Sequence, residues 1–340
     1  MNALTATRSR RLSYAFAVVW FLANVVLTWL LAAGQDSFAL DGIWVAGLVL
    51  LPCIVVLMCL IRNPIADEPA GRETHGGKLL GLIAAVVTAL LLLQAVAGEY
   101  ILFLLPVVAA VILWWLKPQL DKREWSYATL LALIAGGTGL GAQWISFITP
   151  FQWGLLQVPL TLLSLLAGWS ILRRFGLLQQ GIGHSRFLTA GVWPGVQSLL
   201  LGILLGTPWA LASVVMGSAE GGTSAWVESW WQPLIAFQPA IAEEAWGRLL
   251  VVPLVFLLFR RVGPNRTAFS VALIVMTYWF AYLHASGNVV SALVSTLIVG
   301  SLLCLPISIA CLYYDLETAI GFHFWMDFVK FAFALLVFNR

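Results

Sequence analysis

Long apolar stretches separated by short polar segments dominate this sequence. A helix that crosses a bilayer needs about 20 predominantly apolar residues, because each residue adds about 1.5 Å to its length. By this measure the sequence predicts an all-α, polytopic bundle of about eleven transmembrane helices. The predicted spans are 14–33, 43–61, 79–96, 101–116, 127–141, 154–172, 192–216, 240–259, 267–283, 289–313 and 318–338.

The basic residues between these spans alternate along the chain. Lys and Arg occur before the first span and in every second connecting segment up to residue 266, whereas the intervening segments contain neither. The intervening segments are instead acidic or neutral, with acidic residues such as Asp36, Glu99 and Glu228. Because cytoplasmic loops are enriched in Lys and Arg, the alternation predicts a multi-pass protein of the cell (plasma or inner) membrane with its N-terminus in the cytoplasm.

The composition indicates lipid rather than water as the main solvent. Of the 340 residues, 61% are hydrophobic and 10% are charged, whereas soluble domains carry about 25% charged residues. The net charge of +3 is small and gives no reason to expect a nucleic-acid partner. The expected partners are therefore the lipid bilayer and a membrane-associated protein or peptide. All four cysteines lie in apolar runs without zinc-ligand spacing, so we expect them to be packing residues.

Polar residues are distributed unevenly between the two parts of the chain. The first six predicted spans carry few of them, while the last five contain every charge that falls inside the membrane. We therefore divide the chain into N-terminal transmembrane helices of unknown role, residues 1–190, and a second part, residues 191–340, that carries the chemistry.

Ionisable groups within a membrane are costly and are functional-site candidates by default. The first cluster lies on predicted span 240–259, where Glu244 and Arg248 are four residues apart and share a helix face. They can form an ion pair, which leaves Glu243 available as a general base. The same cluster also fits an ordinary helix start, in which acids occupy the first turn after Pro239.

Two further clusters contain histidine. His284 closes predicted span 267–283, and His323 lies four residues before Asp327 in the last span. A lone His at a helix end is often an ordinary interfacial residue, and Lys330 allows a purely structural charge network. Taken together, however, the three clusters supply an acid, two imidazoles and a second carboxyl group, which are the groups needed to activate water against a peptide bond.

The three clusters resemble the ordered motifs of the CAAX-protease and bacteriocin-processing (CPBP) family of intramembrane glutamic endopeptidases. Those motifs are Glu-Glu-x-x-x-Arg, Phe-x-x-x-His and His-x-x-x-Asn or Asp. The matching residues here are Glu243, Glu244 and Arg248, then Phe280 and His284, then His323 and Asp327. The resemblance covers about a third of the chain and implies an enzyme that hydrolyses a peptide bond in a membrane-associated protein or peptide.

The resemblance also implies a role for each residue of the first two motifs. Glu243 is expected to activate the attacking water, and His284 is expected to help hold that water. Glu244 and Arg248 are expected to form the structural ion pair, which agrees with their spacing.

The third motif departs from the best understood relatives, which carry Asn at its last position. The resemblance implies that His323 and Asp327 stabilise the oxyanion, but an ionised Asp cannot donate a hydrogen bond to it. Asp327 must therefore be protonated, orient His323, or help to hold a metal. Two His side chains and carboxylates also suit zinc, although we expect neither a metal nor another cofactor.

Residue counting predicts a mismatch in depth between the motifs. Glu243 and His284 lie about 24–27 Å along their helices from the basic loop that joins them, whereas His323 lies only about 12 Å from the turn at Asp315. We therefore expect either that predicted span 289–313 stops short of the surface or that its acidic turn lies in a polar cavity.

Two other functions remain open at this point. A proton-coupled transporter would also use buried Glu and His residues, but internal symmetry between its halves is expected and none is visible. A non-catalytic scaffold or immunity-type membrane protein would keep the fold, although a complete motif set argues against it. For a protease, the substrate could be a prenylated protein, a bacteriocin leader, a sorting-signal tail or a signalling peptide.

Overall fold

The computed structural model describes residues 81–87, 89–90, 101–142, 148–219, 227–261, 265–284 and 295–338. Within these ranges 86% of the residues are helical and none forms a strand, which confirms the all-α prediction for the described part of the chain. The predicted spans 14–33 and 43–61, with much of 79–96, lie outside the described residues.

The helices are numbered here in chain order from residue 101. They are α1 (Ile101–Leu116), α2 (Lys122–Gly139), α3 (Pro150–Arg174), α4 (Arg186–Ala190), α5 (Val192–Ala219), α6 (Phe237–Glu243, π-helical Glu244–Val251, Val252–Phe259), α7 (Asn265–Leu283), α8 (Ser295–Tyr314) and α9 (Leu316–Phe338). A 3₁₀ turn over Gln232–Ala236 leads into α6.

Four of the described helices are long and apolar enough to cross a membrane. They are α3, the Val192–Val214 part of α5, α8, and the Leu316–Leu336 part of α9. Ile101–Leu116 and Thr267–Leu283 are apolar but shorter. These four helices indicate a membrane protein, whereas the count of about eleven spans and the orientation of the chain stay predictions.

Local sequence explains where α2 and α3 begin. The Asp121 side chain accepts the backbone N–H of Glu124 at 2.7 Å, and the Glu124 side chain accepts that of Asp121 at 3.0 Å. Thr149 and Gln152 form the same reciprocal capping box at the start of α3. Arg173, near the end of α3, pairs with the Glu124 carboxylate. This pair joins the end of α3 to the start of α2.

Glycines bring the backbones of α5 and α9 into direct contact. A Cβ atom added to Gly202 would meet the carbonyl oxygen of Thr318, and one added to Gly321 would meet that of Leu199. Gly206, one turn after Gly202, also lies close to α9, where an added Cβ atom would be 2.9 Å from the carbonyl oxygen of Phe322. Small residues four apart are typical of close helix pairs in membranes. This interface fixes the position of α9, which carries two of the predicted site residues.

The π-helical segment Glu244–Val251 lies against α3. A Cβ atom added to Gly168 of α3 would meet the carbonyl oxygen of Leu249. Pro253 has no N–H and therefore cannot donate to the Leu249 carbonyl four residues earlier. The missing hydrogen bond favours a local departure from α-helical geometry in this segment. Segments of π-helix are rare and are frequent at functional sites. Helices from both sides of residue 190 share one core, so the proposed division of the chain at that residue stays a prediction.

The turn between α8 and α9 is buried inside the protein. Asp315 and Glu317 are both buried. The Leu316 N–H donates to the carbonyl oxygen of His184 at 3.0 Å, so the loop that follows α3 lies on this turn. The helix α8 is continuous through Pro306 and, at 20 residues, is long enough to cross a membrane. Its length therefore does not support the expectation that it stops short.

Candidate active site

The first motif lies where α6 changes from α-helical to π-helical geometry. Glu243 ends the α-helical part, and Glu244 and Arg248 belong to the π-helical segment. The Glu244 side chain is 0% exposed and that of Arg248 is 2% exposed, and Glu244 Oε1 lies 3.4 Å from Arg248 Nη1. The ion pair predicted from the spacing is therefore present, and it is fully buried.

Arg248 is also held by α7 and α8. Its Nε donates to Ser308 Oγ at 3.4 Å, and Ser308 also accepts from Thr277 at 3.1 Å while donating to the Cys304 carbonyl at 2.7 Å. The Phe280 ring lies under the guanidinium, with its centroid 3.9 Å from Cζ. Sequence reasoning missed Ser308 and Thr277, although polar residues within apolar helices could have identified them.

His323 lies among three carboxylates. Its Nδ1 is 2.9 Å from Glu244 Oε1, and its Nε2 is 3.5 Å from Asp327 Oδ2 and 3.8 Å from Glu243 Oε2. An imidazole donates from both ring nitrogens only when it is protonated. Both ring nitrogens of His323 thus face carboxylate oxygens. Glu244 does more than pair with Arg248, because it also orients His323.

His284 immediately follows α7. Its Nδ1 lies 3.0 Å from the carbonyl oxygen of Phe280. A carbonyl oxygen can only accept, so Nδ1 carries the proton, and in the neutral ring Nε2 is left with a lone pair. That Nε2 lies 3.9 Å from Glu243 Oε1. The hydrogen bond thus presents an acceptor nitrogen to the carboxylate of Glu243.

Glu243 is the point at which three helices converge. Its two carboxylate oxygens face the Nε2 atoms of His284 and His323 at 3.9 and 3.8 Å. A water oxygen about 2.8 Å from both a carboxylate oxygen and a ring nitrogen fits such a separation. The side chains of Glu243 and His284 are 18% and 48% exposed, in contrast to the buried ion pair. The site therefore has a buried side and an accessible side.

The predicted mismatch in depth is wrong. Residue counting from Asp315 placed His323 well below Glu243, yet their side chains approach to 3.8 Å. The count assumed that the turn between α8 and α9 lies at the membrane surface. In the structure this turn is buried and the loop after α3 lies on it, so the assumption behind the count does not hold. The alternative expectation was that the acidic turn lies in a polar cavity. Its burial, and the hydrogen bonds that Ser185 and Ser198 donate to Glu317 and Asp315, agree with polar surroundings for this turn.

The residues that could bind a metal do not form a dedicated cluster. Among the residues that the structure describes, no group of three or more His, Cys, Asp or Glu side chains is arranged to hold a metal ion. The expectation of a site without metal stays a prediction. Cys304 and Cys311 are buried free thiols, which agrees with the packing role expected for them.

Comparison with known proteins adds no identification. No protein-family model matches the sequence, and neither a curated protein nor a solved structure matches it. The resemblance described above therefore depends on the three motifs, and any functional conclusion depends on the geometry that they adopt together.

Proposed function

We propose that this chain is an intramembrane endopeptidase that cleaves a membrane-associated protein or peptide with water activated by Glu243. The observation that carries the proposal is the convergence of Glu243, His284 and His323 from α6, α7 and α9 within 3.9 Å of the Glu243 carboxylate. A packing role does not require an acid and two imidazoles from three helices to meet at a partly accessible point. The cell membrane and the cytoplasmic N-terminus belong to the same proposal.

In the proposed first step, Glu243 removes a proton from a water molecule that also donates to Nε2 of His284. The water oxygen attacks the carbonyl carbon of the scissile peptide bond, and Glu243 keeps the proton. As the C–N bond breaks, Glu243 passes this proton to the departing amide nitrogen. The oxygen of water ends in the new carboxyl group and Glu243 returns to its starting form.

The negative charge that develops on the carbonyl oxygen is stabilised by His323. Its Nδ1 is fixed by Glu244 at 2.9 Å, whereas its Nε2 makes only long contacts, at 3.5 Å with Asp327 and 3.8 Å with Glu243. Nε2 is thus free to donate to the oxyanion, which is the electrostatic interaction that such reactions need most. Of the three roles considered for Asp327, orientation of His323 agrees best with this distance.

The proposal is tested by comparing the termini of membrane proteins in cells that carry the wild type, Glu243→Gln or Glu228→Gln. Glu228 is exposed on the segment before α6, so its variant controls for the same chemical change outside the site. Loss of a general base lowers the rate by about 10²–10⁴-fold. We expect one or a few membrane-linked substrates to accumulate uncleaved only in Glu243→Gln.

An identical processing pattern in all three strains would refute the proposal. In that case the transporter or scaffold hypothesis would be favoured, because neither requires peptide-bond hydrolysis. The abundance of each variant in the membrane is measured in parallel, so that a missing activity is not mistaken for a missing protein.

A further inference from the structure

A buried carboxylate near the start of α9 belongs to none of the three motifs. Glu317 is 0% exposed and lies six residues before His323. Both residues belong to one continuous α-helix, so they are about 9 Å apart along its axis. A buried carboxylate is costly unless hydrogen bonds satisfy it. The partners of Glu317 therefore show which elements it holds together.

Four donors satisfy the Glu317 carboxylate. The Tyr127 hydroxyl donates to Oε1 at 2.9 Å, and the Ser185 hydroxyl donates to the same oxygen at 2.5 Å. The backbone N–H of Arg186 donates to Oε2 at 2.8 Å, and that of Phe187 makes a longer contact with Oε1, at 3.4 Å. Tyr127 lies on α2 and the other three donors lie at the start of α4. Glu317 thus joins α9 to two helices that carry no motif residue.

The framework that holds Glu317 includes α3 as well. The Tyr127 ring stacks against Trp169 of α3, with 6.4 Å between the ring centroids, and it contacts Phe187 at 5.3 Å. The Trp169 indole donates in turn to the Gly183 carbonyl at 3.2 Å. Neighbouring contacts therefore restrain the hydroxyl that donates to Glu317.

Asp315, two residues before Glu317, shows what the start of α9 itself requires. Its Oδ1 accepts the backbone N–H of Thr318 at 2.8 Å and the Thr318 hydroxyl at 2.6 Å. These bonds cap the helix locally. The partners of Glu317, in contrast, lie 130 to 190 positions away in the sequence. The contacts of Glu317 therefore serve the placement of α9 rather than its initiation.

The placement of α9 depends on contacts of two kinds. Gly321 is four residues after Glu317 and shares its helix face, and a Cβ atom added to it would meet the carbonyl oxygen of Leu199. This contact sets the distance between α9 and α5. The hydrogen bonds of Glu317 are directional, so they also fix the rotation of α9 and its position along its own axis. His323 projects about 120° away from Glu317, where its Nδ1 lies 2.9 Å from Glu244 Oε1.

We infer that Glu317 is a positioning residue of the candidate site. By holding α9 against α2 and α4, it sets the position of the His323 imidazole relative to Glu243 and Glu244. The inference rests on the proposed function and adds to it a residue that does not touch the substrate. Misplacement of a reacting group by about 1 Å can lower a rate about 10²-fold. A small shift or rotation at Glu317 reaches His323 because the helix between them is continuous.

Nitrogen-15 NMR of the full chain in lipid nanodiscs, labelled at histidine, tests the position of His323 without a substrate. The chain has four histidines, and the signals of His323 are assigned by their loss in His323→Gln. The shift of Nδ1 reports its hydrogen bond with Glu244. We expect Tyr127→Phe, which removes one of the four donors, to move this signal. The signals of His284, whose Nδ1 faces a carbonyl of α7, should stay in place.

Tyr278→Phe is the matched control. It removes a tyrosine hydroxyl that lies 2.7 Å from Ser301 Oγ and joins α7 to α8, so the chemical change is the same but the contact does not involve α9. We expect no movement of the His323 signals in this variant.

Cleavage kinetics test whether this placement serves catalysis. Glu317→Gln is the stronger variant, because an amide has one acceptor oxygen where a carboxylate has two. We expect kcat to fall about 10–100-fold in Glu317→Gln and several-fold in Tyr127→Phe, with KM within about twofold, because the oxyanion contact exists only in the transition state. Tyr278→Phe should keep the wild-type kcat. A loss that affects only the amount of folded protein would change neither kcat nor the His323 signal.

The outcomes separate this inference from the proposed function. An unmoved His323 signal in Tyr127→Phe, or an equal movement in Tyr278→Phe, would overturn the inference, and so would a moved signal with unchanged kcat. Tyr127→Phe decides alone if Glu317→Gln does not accumulate. Cleavage that survives Glu243→Gln would instead refute the protease proposal, while the NMR comparison would still show whether Glu317 positions His323.

Discussion

Substitution of Gln for the adjacent acids Glu243 and Glu244 should lower the stability of the protein by very different amounts. Glu244→Gln removes the negative charge from a pair in which both side chains are at most 2% exposed. With an effective dielectric constant of about 20, unit charges 3.4 Å apart attract by about 5 kcal/mol. Removing one partner of a buried pair generally costs about 3–5 kcal/mol, because the other charge remains buried. We therefore expect Glu244→Gln to lower the free energy of unfolding by this amount.

Glu243→Gln should change stability by about 1 kcal/mol or less, because Glu243 is partly exposed and its contacts with the imidazoles are long. Its effect falls instead on the rate of cleavage. Glu244→Gln lowers the rate as well, since Nδ1 of His323 loses its carboxylate partner. The two variants are therefore separated by stability rather than by activity.

A thiol-reactive fluorogenic dye measures this difference. The buried thiols of Cys304 and Cys311 become reactive only when the helices separate, so the temperature of dye reaction reports unfolding around the site. The background carries Cys53→Ser and Cys59→Ser to remove the other thiols. Glu244→Gln should react at a clearly lower temperature than Glu243→Gln. Equal transition temperatures would refute the division into one structural and one reactive acid.

A second substitution checks the cause of the instability. If the cost of Glu244→Gln comes from the unpaired guanidinium, then Arg248→Met in the same chain should recover part of the loss, because replacing a whole buried pair with apolar groups is often nearly neutral. In a double-mutant cycle the two changes should then couple favourably. Strictly additive losses of unfolding free energy would show that the Glu244–Arg248 contact is not the source of the instability.

Three further predictions concern α9 and the chemistry of the site. Gly321→Leu should lower both the dye-reaction temperature and the rate of cleavage, because a side chain at this position meets the α5 backbone. Gly137 has open space around it, so the control Gly137→Ala should change neither. Asp327→Asn should keep the rate of cleavage within about tenfold of wild type, because an amide can also donate to an oxyanion. A loss of rate as large as that of Glu243→Gln would show that the negative charge of Asp327 is required. Cleavage should survive metal chelators, since the proposed oxyanion partner is His323; loss of cleavage with a chelator and its recovery with added Zn²⁺ would contradict this.

The pairing within each cluster could be predicted from the sequence because it is local. A spacing of four residues places Glu244 with Arg248, and His323 with Asp327, on one helix face, and both pairs are present. The cost of charges in apolar segments then identified these residues as candidates. The spacing of Gly202 and Gly206 was equally visible and could have predicted the close contact of α5 with another helix.

The convergence of the three clusters depends on contacts between residues that are far apart in the sequence, so it could not be predicted by counting residues along the helices. His323 meets Glu244 across 79 positions of sequence, and Ser198 donates to Asp315 across 117. Contacts of this kind bury the turn between α8 and α9, and they depend on which loop covers it.

In the proposed mechanism the two consecutive acids have different tasks. Arg248 already donates to the backbone carbonyl of Glu243 at 3.4 Å, so its charge lies close enough to compete for the Glu243 side chain. Glu244 prevents this by pairing with the guanidinium and, through the same oxygen, with His323. Loss of Glu244 would therefore draw Glu243 toward Arg248 and away from water. We therefore expect the double variant Glu244→Gln, Arg248→Met to cleave faster than Glu244→Gln alone, and by more than its recovered stability explains. The double variant has no cation that competes for the Glu243 side chain, and Glu243 keeps its contacts with both imidazoles.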